Sequence, residues 1–168
     1  MEKKFICGNK YTISPTNTIA LPVQVDGLPL EIVVEDTKLV LKSTFHISLV
    51  CINEIIRKNN IIDTNFKDLV VKDYCDFVAI NDISLLSYKD EFRFMLEGDQ
   101  KAVVAMCNVS NLDKFFEILN KKYNLSLGYP PTHVTLYTLP GKGGIFMTDS
   151  ADLKNLTKVI QNPIGKKL

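Results

Sequence analysis

The order of hydrophobic and polar positions divides the chain into an early region of short strands and a later region where strands and helices mix. In the first third, apolar residues alternate or cluster over short stretches, and turn residues separate the runs. Strands are expected at Tyr11–Ile13, Thr18–Val25, Leu30–Val34, Leu39–Lys42 and His46–Ile52. Pro15, Asp26-Gly27 and Glu35-Asp36 punctuate them. Asp26-Gly27 is the expected hairpin signal, because glycine takes the positive φ that such turns require.

The period then changes. A short helix is expected over Asn53–Asn60 and a longer one over Asn65–Ala79, where Phe66, Leu69, Val70, Tyr74 and Phe77 fall near helical spacing. Phe92–Leu96 and Ala102–Val109 read as an antiparallel pair across Glu97-Gly98-Asp99-Gln100. Ser110, with Asp113 three residues on, resembles a capping box with a shorter acid than the usual Glu. It opens an amphipathic helix whose core face carries Leu112, Phe115, Phe116, Leu119 and Tyr123. After Gly128-Tyr129-Pro130-Pro131 come a strand, His133–Thr138, and a loop, Pro140-Gly141-Lys142-Gly143-Gly144. Asp149 or Ser150 is the expected cap of a last helix running to about Ile160, with Pro163 and Gly165 ending it. This mixture predicts an α+β fold with antiparallel sheet, in one domain over residues 1–168.

Composition narrows the function classes. The chain has 168 residues, 46% apolar and 23% charged, which is ordinary for a globular domain. Twenty basic and nineteen acidic residues leave a net charge of +1, which argues against a long duplex DNA partner held by many phosphate contacts. A nucleotide or short single strand needs only a local positive cluster. No apolar run is long enough for a transmembrane helix or a signal peptide, so no membrane partner is expected and the cytoplasm is the expected location. The cysteines, Cys7, Cys51, Cys75 and Cys107, are far apart and form no Cys-x-x-Cys pair. They read as small buried hydrophobes in a reducing compartment rather than as a disulfide or metal set. With two histidines in all, no metal site and no cofactor are expected.

Those two histidines carry the chemical signal. Alternate strand residues share a face, so His46, Ser48 and Val50 are expected on one face, and Ile47, Leu49 and Cys51 on an apolar back. In the second strand His133, Thr135 and Tyr137 share the front, and Val134 and Leu136 the back. Each strand thus joins an apolar anchor to a front bearing imidazole and hydroxyl.

The segments Phe45-His46-Ile47-Ser48-Leu49-Val50 and Thr132-His133-Val134-Thr135-Leu136-Tyr137 resemble the paired His-x-Thr/Ser-x-hydrophobic signatures of the 2H phosphoesterase superfamily. That superfamily includes the RNA ligase/cyclic phosphodiesterase branch, 2′,5′-oligoadenylate phosphodiesterases and phage enzymes that destroy cyclic-nucleotide alarm signals. Ser48 departs from the commoner Thr but keeps the hydroxyl. The resemblance implies a two-lobed, pseudo-symmetric α+β fold, with antiparallel sheets around a central cleft and helices packed outside. It also implies metal-independent hydrolysis of a cyclic or 2′,5′-type phosphodiester in a nucleotide, cyclic oligonucleotide or short RNA end.

In-line displacement at phosphorus requires proton removal from the nucleophile and proton donation to the leaving oxygen. Two imidazoles suit these roles near neutral pH, and hydroxyls at Ser48 and Thr135 can hold the non-bridging oxygens. His46 and His133 are the expected catalytic pair. The residues leave open which is the base; analogy favours His133 activating the nucleophile and His46 protonating the leaving oxygen. Tyr137 and Lys142 are further candidates for substrate contact, with Tyr11 and Tyr129 as possible stacking residues. The Gly-Lys-Gly-Gly loop is no Walker loop. The alternative is a nucleotide- or RNA-binding module that keeps the cleft without catalysis.

Overall fold

The long hairpin that dominates one half of the molecule follows from two runs of β-branched and aromatic residues joined at Gly98, whose φ of 59° makes the tight turn. The computed structural model describes residues 2–168. Among these residues, ten strands and four helices follow one another as β1 (Lys4–Ile6), β2 (Tyr11–Ile13), β3 (Thr18–Val23), β4 (Glu31–Val34), β5 (Thr37–Leu41), β6 (Phe45–Cys51), α1 (Ile52–Asn59), α2 (Phe66–Val78), β7 (Leu85–Glu97), β8 (Gln100–Val109), α3 (Leu112–Tyr123), β9 (His133–Thr138), α4 (Ser150–Leu156) and β10 (Thr157–Ile160). The fold is α+β with a large antiparallel sheet. Its strands run in the order β1-β2-β3-β6-β9-β8-β7-β10, so four lie on each side of the junction between β6 and β9. The β4–β5 hairpin joins beside it, with β5 pairing the end of β9 at Val40–Thr138 and Leu41–Tyr137.

Alternation along β8 separates two apolar layers. Val103, Ala105 and Cys107 face the main core, where α2 and α3 supply Tyr74, Phe77, Phe115 and Leu119. Edge-on contacts of 5.1 Å link Tyr11 to Tyr74 and Tyr74 to Phe115 through this layer. Ala102, Val104 and Met106 point the other way, into a smaller cluster closed by Ile145 and Met147. No helix among the described residues is long and apolar enough to cross a membrane.

Several local expectations are corrected. Asp26-Gly27 turns the chain, with Gly27 at φ 69°, but β3 and β4 do not pair across it. The hairpin turn is Glu35-Asp36, both residues in the left-handed region, closing the Val34–Thr37 pair as a two-residue turn requires. Ser110 does not cap α3. Its hydroxyl donates to the Asp82 carbonyl at 2.8 Å and accepts from the Ser84 amide at 2.9 Å, while Asn111 precedes the helix in a left-handed conformation. Asp149 does cap α4, accepting from the amides of Ala151 and Asp152. That helix stops at Leu156, however, because Thr157–Ile160 adds a strand to the open edge of β7.

The reading of all cysteines as free thiols is also overturned. Cys7, in a turn at φ 53° directly after β1, forms a disulfide with Cys75 of α2, leaving Cys51 and Cys107 free. Sequence separation hid the pair, since the sheet edge and α2 meet only in the folded chain. The pairing removes the support that four thiols lent to a reducing compartment.

Candidate active site

Two central strands build the site. β6 and β9 are antiparallel neighbours through the pair Ile47–Val134, both fully buried on the back face. Stepping one residue from that pair sets His46 beside Thr135 and Ser48 beside His133 on the front. Direct cross-strand neighbours have Cβ atoms about 5 Å apart, and the diagonal, here His46 to His133, spans about 7–8 Å. Each imidazole therefore stands next to the other strand's hydroxyl. All four side chains line one cleft of about 600 Å³.

Both strands carry a bulge at the same place. β3 pairs Ile19 with Val50 and Ala20 with Ser48, leaving Leu49 as the extra residue of β6. β8 pairs Val103 with Tyr137 and Val104 with Thr135, leaving Leu136 as the extra residue of β9. The alternation therefore reverses one residue after each motif hydroxyl. Val50 turns into the core and Cys51 faces the cleft, opposite to the expectation from simple alternation.

Tyr137 is corrected for the same reason. It is fully buried on the back, and its hydroxyl donates to the Pro29 carbonyl at 2.9 Å. The other secondary candidates also lie outside the cleft. Tyr11 sits in the core, its hydroxyl donating to the Ile83 carbonyl at 2.8 Å. Tyr129 is 54% exposed and packs edge-on against Phe116. Lys142 extends to Asp99, with its Nζ 3.6 Å from the carboxylate. The glycines of its loop serve a different end: a Cβ on Gly144 would lie 3.1 Å from Thr135 Oγ1, so this close approach favours the smallest residue.

Hydrogen bonds distinguish the two imidazoles. His133 is buried, 6% exposed, with Nδ1 2.8 Å from the Pro131 carbonyl. A carbonyl can only accept, so Nδ1 carries the proton and Nε2 of the neutral ring holds a free lone pair. At His46, Nδ1 lies 3.2 Å from Lys3 Nζ. An ammonium can only donate, so Nδ1 accepts and the proton of the neutral ring sits on Nε2. Burial lowers the pKa of His46 to about 4, with the charges of Lys3, Lys42 and His133 adding to the effect. Burial also pushes His133 below the ordinary histidine value, opposed by its bond to Pro131.

The remaining lining was not foreseen. Thr12, Ser14, Thr16 and Thr18 present hydroxyls from β2, β3 and their connection, and Lys3, Lys42, Arg57 and Lys58 bring positive charge. Hydroxyls at every second position from Thr12 to Thr18 were a readable signal for a polar strand face. The cations gave none, because Lys3, Lys42 and the α1 residues Arg57 and Lys58 meet only in the folded chain. Among the described residues, no group of three or more His, Cys, Asp or Glu side chains gathers as a metal-binding set. Comparison of the chain with protein-family models, curated proteins and solved structures gave no match.

Proposed function

We propose that this chain is a phosphodiesterase of the 2H type, acting without a metal on a cyclic or 2′,5′-type phosphodiester in a nucleotide, cyclic oligonucleotide or RNA end. One observation carries the reading: two imidazoles, diagonal across β6 and β9, line one cleft with opposite proton inventories at Nε2. The four-plus-four strand order around their junction and the matching bulges support a pseudo-symmetric, two-lobed arrangement.

In this reading, His133 Nε2 accepts the proton of the nucleophile, and its Nδ1 bond to Pro131 stabilises the imidazolium that forms. His46 serves the leaving oxygen. It is neutral in the empty cleft and takes up its acid proton with the substrate, because a phosphoryl anion beside it offsets the charges of Lys3 and Lys42. Ser48 and Thr135 donate hydrogen bonds to the non-bridging oxygens, where negative charge is held during displacement.

A substrate panel followed by phosphorus NMR tests this. It comprises 2′,3′-cyclic nucleotides, cyclic dinucleotides and trinucleotides, 2′,5′-linked oligoadenylate and 3′-terminal RNA. Cleavage of at least one member is expected. Binding without cleavage of any member would assign the cleft to a non-catalytic nucleotide-binding module.

A further inference from the structure

The four cations of the cleft fall into two pairs with different surroundings. Arg57 is held by Glu54 at 2.6 Å, and Lys58 bonds Thr148 and approaches Asp149 at 3.5 Å. Lys3 and Lys42 form no ion pair among the described residues. Of the lining acids, Glu54 is committed to Arg57, Asp152 accepts from Thr148, and Glu97 pairs with neither lysine. The two ammonium groups nevertheless lie close enough that Lys42, after burial, lowers the pKa of Lys3. Two like charges lining one cleft, neither of them in an ion pair among the described residues, leave a site that an anion would complete.

The position of Lys3 bears on which anion would do so. Its Nζ lies at His46 Nδ1, on the edge of the ring away from Nε2. The phosphoryl group under attack belongs between the two Nε2 atoms, so Lys3 stands beyond the ring from it. Lys3 directly precedes anchored backbone, and Lys42 is held within it. β1 pairs with β2 at three positions and is followed at once by the Cys7–Cys75 disulfide. The Lys42 amide donates at 2.9 Å to the carbonyl of Leu136, the bulge residue of β9.

We infer that Lys3 and Lys42 form a subsite for a second phosphoryl group of the substrate, on the far side of His46 from the one that is cleaved. The inference rests on the phosphodiesterase reading for the place of the first phosphoryl group. It favours substrates with two or more phosphoryl groups, such as oligonucleotides, over mononucleotide cyclic esters. It also gives the second group a task. By drawing Lys3 from His46 Nδ1, it frees that nitrogen for the proton that the acid form requires.

The test compares adenosine 3′,5′-bisphosphate with 3′-AMP and 5′-AMP by calorimetry at fixed ionic strength, using the full chain. The bisphosphate should bind at least about tenfold more tightly than either monophosphate, a preference worth about 1.4 kcal/mol. In Lys3→Ala/Lys42→Ala the preference should vanish, the bisphosphate weakening by more than either monophosphate does. Lys3→Arg/Lys42→Arg should restore it. If the alanine variant does not fold, Lys3→Gln/Lys42→Gln serves instead. A preference that survives loss of both lysines overturns the inference. So does equal weakening of all three ligands, which would place the lysines on the single cleaved group, and so does a wild-type chain with no preference. Failure of the phosphodiesterase reading looks different: no member of the panel is cleaved, yet the lysine-dependent preference remains.

Discussion

At His46, burial and two nearby ammonium groups act in the same direction, and both oppose protonation of the folded chain. An unfolded chain has no such restraint, so its histidine titrates near the ordinary value of about 6.5. Above that pH both states are neutral at this position and stability is unaffected. As pH falls from about 6.5 toward 4, the unfolded chain binds a proton that the folded chain refuses, and stability falls with it. The loss attributable to His46 is roughly 3 kcal/mol once pH drops below its folded value. His133 is displaced in the same direction and adds to the same loss. Denaturant unfolding at a series of pH values should therefore show a decline across this window, shallower in His46→Asn. Identical profiles for the two chains would refute the account of His46. Tyr137 supplies a complementary prediction. Tyr137→Phe removes only the bond to Pro29 and should cost on the order of 1 kcal/mol, leaving cleavage unchanged. A large loss of cleavage with normal stability would return that hydroxyl to the site.

Among the elements, the paired bulges separate what the sequence made legible from what it did not. Up to the motif hydroxyls, strict alternation holds, so the fronts carrying His46, Ser48, His133 and Thr135 could be read directly. Beyond Ser48 and Thr135 one inserted residue in each strand reverses the pattern, and the readings for Val50, Cys51 and Tyr137 failed together. Both sides of a bulge here are apolar enough that the residues alone do not reveal the slip. Helices α1, α2 and α3 were legible from their apolar spacing, which is longest in α2 and α3. Strand β10 was not, since it exists only to pair the free edge of β7. The Cys7–Cys75 link belongs to this scale as well. It ties the short edge strand β1, with Lys3 just before it, to α2 across a separation of 68 residues. Reduction should lower stability by about 2–4 kcal/mol and weaken the preference for bisphosphate. Thermal unfolding with and without reductant measures the first effect, and Cys7→Ser/Cys75→Ser should be insensitive to reductant. An unchanged melting temperature in the wild type would show that β1 is held by its strand pairing and packing alone.

For the whole molecule, the sheet brings together two segments far apart in sequence and makes them neighbours at its centre, four strands from either end. Fold class was legible from the mixture of periods. The strand order was not, because it depends on long-range pairings such as β6 with β9 and β5 with β9 that leave no local mark. What this arrangement produces is a concave front with two imidazoles, two hydroxyls and an unbalanced pair of lysines, backed by a continuous aromatic core. The most direct test of the central claim is the cleavage rate of the preferred phosphodiester in EDTA, for the wild-type chain and for His46→Ala and His133→Ala, with circular dichroism to verify folding. Full activity of the wild type in EDTA is predicted, with a fall of about 10²–10⁴-fold in each variant, the range expected for loss of a general acid or base. Cleavage that required a divalent metal, or that persisted in both variants, would contradict it.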